Sequence, residues 1–445
     1  MSDDPTPVRR ADRIGMLDTT RGIAVLGILL MNIVGFGLPE AYEDPTNWGG
    51  HHGVNLLTWQ INSLFFEGTM RGLFTLLFGA GALLFLQQTT PSDEGAPSRT
   101  KLYYRRTILL IGFGLFNAYL LLWEGDILFY YGVVGLFLYL FRKLATPRLL
   151  ILGFLVLMVP TGMNLLDHAD YTRVVTRAES AEMAQRAGEP LTGQQESALS
   201  ELREVREDHK PAVEKLEYAV EQIARSYHSA FRYLKQRTFY WETTFFIQYG
   251  FAECLGMMLL GMALLRTGIL TGAASSRTYL SLMLAGYAIG LSVNLWEMNR
   301  LLGTDFSVEA IMDTYVTYDL GRVPMTFGHV GLIGLLWLSP VAMKAKRTLG
   351  HVGQMALTNY LSQSIICSFL FTGAGLGLFG RFERHELYYI VAAIWIMQLA
   401  WSPWWLQRFQ FGPAEWLWRT LTYGKRQPMR IATHSVPTQA HTPST

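Results

Sequence analysis

Asp18, Arg21 and Asn32 lie three and then eleven residues apart in the first apolar run, so a helix places them with Val25 on one face. An ionised group facing hydrocarbon costs roughly 3 kcal/mol or more, so this face turns toward protein or water. Asp18 and Arg21 also suit a pair that anchors one end of a membrane helix. Asn32 sits about 16 Å further along and asks for a bound or transported group. His51 and His52 follow Trp48-Gly49-Gly50. Near neutral pH an imidazole takes a proton from a hydroxyl or an amine, although histidine is equally at home in a solvated loop. His329 stands two turns beyond Arg322 in one apolar run, either as another base or as a satisfied hydrogen-bond donor. Asn32 or Asn359 can donate to an oxyanion, and Glu124 or Asp126 can orient the base or its substrate. Glu67 and Arg71 are four apart in the order that favours an ion pair on one helix. Glu253, alone in an apolar stretch, is expected to hold a proton. Thr358, Asn359, Ser362 and Gln363 form a polar cluster that binds a substrate or holds helices together. Zinc-ligand spacing, a phosphate loop, a nucleophile elbow and a dinucleotide fingerprint are all missing from the sequence.

The elements that must position these residues are membrane helices. Half of the 445 residues are apolar and 16% are charged, against about 25% charged in soluble domains. Twelve Trp and 21 Tyr suit interfacial belts. Cys254 and Cys367 lie in apolar segments and read as small buried hydrophobes. Runs long enough to span a bilayer occur at 18–38, 69–88, 106–123, 127–142, 148–166, 243–266, 279–299, 323–343, 353–372 and 387–407. They give an all-α polytopic fold of about ten transmembrane helices. Basic residues recur after alternate runs: Arg9, Arg10 and Arg13, then Arg99 to Arg106, Arg142 to Arg148, Arg266 and Arg277, Lys344 to Arg347, and Lys425 to Arg430. With ten spans these share one side, so both termini are expected in the cytoplasm. No small-residue cleavage site follows the first run, which is expected to stay as a helix.

The chain divides into a cytoplasmic segment 1–17, five spans in 18–166, a charged extracytoplasmic insertion 167–242, five spans in 243–407, an interfacial helix with a basic segment at 408–430, and a disordered tail 431–445. Leu216, Val220, Ile223 and Tyr227 give the insertion an amphipathic helix, suited to a lid, a dimer contact or a partner surface. Trp123-Glu124-Gly125-Asp126 joins two short spans almost without a loop. Their outer ends should lie below the membrane surface, under a water-filled funnel. Pro413 suits the first turn of the last helix, and Glu415 its dipole.

The motifs L-D-T-T-R-G…N-I at 17–33, L-F-T-L-L-F-G-A-G at 73–81, G-D-I-L at 125–128, A-L-T-N-Y-L-S-Q-S at 356–364 and G-P-A-E-W-L-W-R at 412–419 resemble the YeiB-like membrane proteins, the family of domain of unknown function 418. The likeness covers nearly the whole chain in order and implies a multi-pass protein of the bacterial inner membrane. More distantly, the L-D-x-x-R-G opening is similar to that of integral-membrane acyltransferases, among them sugar O-acyltransferases and heparan-alpha-glucosaminide N-acetyltransferase. That resemblance implies an acyl group passed from cytoplasmic acyl-CoA (acetyl-CoA, for instance) to a hydroxyl or amine across the membrane, with a histidine at the reaction centre. Where the O-acyltransferases carry histidine eleven residues after the arginine, this chain has Asn32. The glucosaminide enzyme resembles it in having Asn there and a histidine in the following loop near a Trp. His51 or His52, beside Trp48, is then the analogue.

On this reading the donor's phosphates bind near Arg21 and the Arg99 to Arg106 cluster, and the thioester threads toward Asn32. Asp18, Glu67, Arg71, Glu124, Arg322, Asn359 and Gln363 complete the substrate path. The partners expected are the bilayer, acyl-CoA and a glycan or small-molecule acceptor, and possible self-association is a homodimer; no bound cofactor, metal or nucleic acid is expected. Two alternatives stand beside it. One is a transporter using the same polar stripe, with Glu67, Asp126 and Glu253 titrating; the lack of an evident internal repeat counts against it. The other is a non-catalytic lipid-binding or scaffold protein.

Overall fold

The computed structural model describes residues 14–87 and 98–431, so Arg9, Arg10, Arg13 and the tail from 432 lie outside the described residues. The described chain is helical and contains no β-sheet. α1 (Gly15–Gly37) is buried along most of its length. A Cβ on Gly22 would overlap the Leu349 carbonyl, and one on Gly353 the Asp18 carbonyl, so α1 and α13 (Met343–Gln354) meet backbone to backbone. α2 (Gly53–Phe65) and α3 (Thr69–Gln87) follow one another across a break at Phe66–Gly68, where Gly68 takes φ +69°. Only glycine adopts that conformation without strain.

α4 (Arg99–Leu115) ends in a π-helical turn over 116–120, and α5 (Leu128–Phe141) returns. α6 (Thr146–Arg186) runs 41 residues without a stop. α7 (Gly193–His209) starts from a capping box between Thr192 and Gln195. α8 (Val213–Arg225) buries Leu216, Ala219 and Ile223 as the amphipathic spacing requires, whereas Tyr227 begins α9 (Tyr227–Tyr240). A π-helical stretch over 241–250 then leads into α10 (Phe251–Arg266). The boundaries drawn at 167 and 242 therefore fall inside continuous helix. The change from apolar to charged side chains there is a change of surroundings, and the Ala, Glu, Arg and Met of 177–186 remain good helix formers.

The second half holds α11 (Ser276–Gly303), α12 (Val308–Leu338), α13, α14 (Ala356–Phe371), α15 (Arg384–Leu406) and α16 (Pro413–Tyr423). The apolar runs fall largely on helix, although 323–343 passes the end of α12 and 353–372 straddles α13 and α14. Among the described residues six helical segments are long and apolar enough to cross a membrane by length and composition: Gly15–Gly37, Gly53–Gln87, Thr146–Arg186, Tyr227–Arg266, Ser276–Gly303 and Arg384–Leu406. Their outward faces are apolar; Ile151 is 61% exposed and Ile396 69%, a surface suited to hydrocarbon.

The main core joins α1, α3, α5, α10 and α14, and a small second core packs Tyr171, Val174 and Ala178 of α6 on Ala198 and Leu202 of α7. At one end of the bundle Arg266 donates to the carbonyls of Arg142 and Leu144, and Trp418 to that of Arg106. We term this the tail end. At the opposite, appendage end, α7 to α9 lean on the loop after α1: Lys210 reaches Asp44 at 3.3 Å, and Asn47 donates to the His209 carbonyl at 2.9 Å.

Candidate functional site

Near the appendage end, α1, α2, α11, α12 and α15 enclose a cavity of about 70 Å³, room for a few waters or a small solute. The loop after α1 supplies Tyr42 and Glu43, α2 Asn62 and Ser63, α12 Thr314, Tyr315 and Tyr318, and α15 Arg384 and Tyr388. The Tyr315 hydroxyl donates to Glu43 at 2.5 Å and lies 3.4 Å from Nε2 of His209. Surrounding protein raises the Glu43 carboxyl above its ordinary range, while the Tyr315 hydrogen bond and nearby His209 pull it down. Glu43 is itself exposed at the mouth of the cavity, so water moderates that shift. Such a carboxylate can take a proton from a bound hydroxyl or ammonium. Arg384 is 2% exposed; it donates to the Ala41 carbonyl, and its Nε has no acceptor among the described residues.

The floor of the cavity is a charge network. Arg322 lies 2.9 Å from Glu67, touches Glu297 and donates to Asn294 at 3.1 Å, while its guanidinium sits 4.5 Å from the Tyr318 ring centre. Tyr318 donates to Glu67 at 2.9 Å and lies 3.5 Å from Arg71, which pairs with Glu253 at 2.8 Å. Two expectations are corrected here. Glu67 and Arg71 do not pair with each other, because the break at Gly68 leaves Glu67 outside α3 and each reaches a different helix. Glu253 is not a lone carboxyl, since Arg71 meets it from α3.

A second cavity of about 80 Å³ lies under α8 and α9, walled by Glu40, Leu122, Trp123, Glu124 and Arg237, and it shares Tyr42 with the first. Arg237 binds Glu124 at 2.8 and 3.1 Å and also Glu40. Glu40 (φ +46°) and Leu122 (φ +59°) both hold the left-handed backbone on its wall, a conformation that costs about 1–3 kcal/mol outside glycine.

The remaining sequence candidates do not gather in these cavities. Asp18 and Arg21 pair at 2.9 Å toward the tail end. Asn32 is half-buried on α1 between the lining residues Met31 and Val34. His51 and His52 pack ring to ring at 3.9 Å in the loop before α2 and line neither cavity. His329 is occupied at both ring nitrogens, by the Phe65 carbonyl at 2.8 Å and the Tyr287 hydroxyl at 3.0 Å. Asp126 accepts from Asn117 at 2.7 Å and the Phe129 amide at 2.8 Å, which caps α5. Asn359 bonds Val352, Ser402 and Trp401, and Gln363 bonds Val25 and Gln398, so both tie helices together. Glu43, His209, Arg237, Tyr315 and Arg384 escaped the sequence reading. The nearest signal was the acidic loop that holds Glu40 and Asp44.

Polar cavities and buried ion pairs lie among long helices, six of them apolar enough to cross a membrane among the described residues, the make-up of a multi-helical membrane-type protein. Residues 264–425 match the family described as "Protein of unknown function (DUF418)". The chain is 32% identical over 414 residues to the uncharacterized protein YeiB of Escherichia coli (strain K12), covering 91% of this chain and 95% of the relative. It is 27% identical over 440 residues to the uncharacterized protein YxaH of Bacillus subtilis (strain 168), covering 95% and 97%. This chain belongs to the YeiB-like DUF418 family. No solved structure matches it.

Proposed function

We propose that this is a bacterial inner-membrane protein of about ten crossings with both termini cytoplasmic, and that the Glu43 cavity holds the acceptor of an acyl transfer. Alternating helix ends at the tail and appendage ends favour that topology, as do the basic residues that flank alternate apolar runs, Arg99 to Arg106, Arg142 to Arg148, and Arg266 and Arg277. The observation that carries the reaction is Glu43: an accessible carboxylate with a raised pKa, hydrogen-bonded by Tyr315 and backed by His209. Glu43 takes the proton from an acceptor hydroxyl or amine. The freed oxygen or nitrogen attacks the carbonyl carbon of an acyl thioester, the C–S bond breaks, and the thiolate leaves and is protonated as free thiol. At the tail end Arg106 stacks on Phe85 at 5.2 Å and Trp418 at 4.1 Å, with Arg99 also over Phe85 at 5.1 Å. Together with Arg21 this is a cationic surface suited to the phosphates of acyl-CoA.

The test is release of free CoA from acetyl-CoA and longer acyl-CoAs by the protein in nanodiscs, with hydroxyl and amine acceptors. Glu43→Gln should lower turnover on the order of 100-fold or more, and His51→Ala and His52→Ala should leave it nearly intact. The opposite pattern returns the base to the histidine pair. A second reading draws on the two ion pairs linked through Tyr318, Arg71–Glu253 and Arg322–Glu67, which suit a solute or proton pathway. Substrate-dependent flux into liposomes without thioester turnover selects that reading.

A further inference from the structure

The Glu43 cavity has an unusual charge count. Its wall carries three carboxylates (Glu43, Glu67, Glu297) and two guanidiniums (Arg322, Arg384). Glu67 and Glu297 share Arg322. That leaves two charges of opposite sign without an ion-pair partner among the described residues, Glu43 and Arg384. Glu43 has only the Tyr315 hydroxyl, with His209 behind it. The neighbouring carboxylate for Arg384 is Asp44, and Asp44 is committed to Lys210 at 3.3 Å and to Thr46 at 2.6 and 2.8 Å. Both unpaired groups are held by one stretch of chain, because Arg384 donates to the carbonyl of Ala41, two residues before Glu43.

A buried guanidinium without an anion is strongly destabilising unless a ligand completes it. A neutral polyol does not offer that charge. A simple anion meets Arg384 but faces the surplus of carboxylates, and a simple cation meets Glu43 and leaves Arg384 alone. We infer that the ligand of this cavity is a small zwitterion, a free amino acid or a close relative, with its carboxylate on Arg384 and its ammonium toward Glu43. The four tyrosines Tyr42, Tyr315, Tyr318 and Tyr388 on the same wall offer hydroxyls and ring faces to the ligand's remaining surface. The inference rests on the reading above that this cavity is a solute site, and it names the class of solute.

The test uses the full chain in nanodiscs and equilibrium binding of L-alanine, L-serine and L-glutamine. Each is compared with its amide, which keeps the ammonium alone, and with its des-amino acid, which keeps the carboxylate alone; glycerol serves as the neutral probe. A hydrogen-bonded charge lost from either end should weaken binding about tenfold or more. Glu43→Gln should erase the preference over the des-amino acid, and Arg384→Gln the preference over the amide. Should Arg384→Gln fail to fold, the wild-type comparison of the three probe types decides without it. Amides or des-amino acids that bind as well as the parent amino acid overturn the zwitterion and leave the solute site standing. Binding of glycerol alone does the same. Saturation by none of the probes overturns both.

Discussion

Arg322→Met removes the cation that sits between two buried carboxylates. Its side chain is only 10% exposed and lies 2.9 Å from Glu67, in contact with Glu297. At an effective dielectric constant of ~20, a unit pair at that separation attracts by about 6 kcal/mol. After the solvation of both ions is counted, breaking such a buried pair costs about 3–5 kcal/mol. Two pairs are lost together, but one freed carboxyl can take up a proton, so the upper end, roughly 5 kcal/mol, is the expected loss. An unfolding entropy of ~2.1 cal/mol/K per residue, over 445 residues, converts this to a fall in Tm of about 5 °C. Cys254 and Cys367 are free and buried, so a thiol-reactive fluorophore in detergent follows the melt. The variant that also carries Glu67→Gln and Glu297→Gln should regain most of the loss, because it removes the stranded charges. A single variant melting within about 1 °C of wild type, or a triple variant melting below the single, would refute charge compensation as the role of Arg322.

Three further outcomes are expected. Gly353→Ala should cost about 3 kcal/mol or abolish folded protein, since its methyl would overlap the Asp18 carbonyl; size-exclusion chromatography and a thermal melt read this, and an unchanged melt would contradict the close packing of α1 on α13. Arg237→Ala strands Glu40 and Glu124, and with a side chain 35% exposed the screened cost is about 1–2 kcal/mol; amide exchange should quicken in α9 and in the loop at Glu40 before it does in α11. Turnover should rise with pH as Glu43 loses its proton, with a midpoint above the usual ~4.3 of a glutamate because its folded pKa is raised. That acidic limb should vanish from the residual activity of Glu43→Gln, and its survival there would assign it to another group.

The helices were legible because apolar runs of this length have few other uses, and most of each run lies on helix; the ends were not, as at Leu338 and Met355. The partners were harder. Sequence spacing reports neighbours on one helix, so Asp18 and Arg21 were paired correctly, but Glu67 with Arg322 and Arg71 with Glu253 are contacts between helices that no local spacing encodes. The Glu67-Gly68 step was the available warning, since a glycine at positive φ takes Glu67 off the α3 ladder. His329 was singled out for its residue type, and geometry finds it satisfied on both sides. Glu43 drew no attention because a loop acid is usually solvated. It becomes informative only once α12 brings Tyr315 against it.

The length of α6 has a mechanical consequence. Forty-one helical residues extend about 62 Å, roughly twice the hydrocarbon thickness of a bilayer. The far half is stiffened against α7 through Tyr171, Val174, Ala178, Ala198 and Leu202, and α7 ends at the grip of His209 and Lys210 on Asn47 and Asp44. α6 and α7 together form a lever whose short output arm is the loop that carries Glu43. A tilt of about 5° at the base of α6 would move its tip by roughly 5 Å, against the bonds of Asn164, His168 and Tyr171 that brace it on α12.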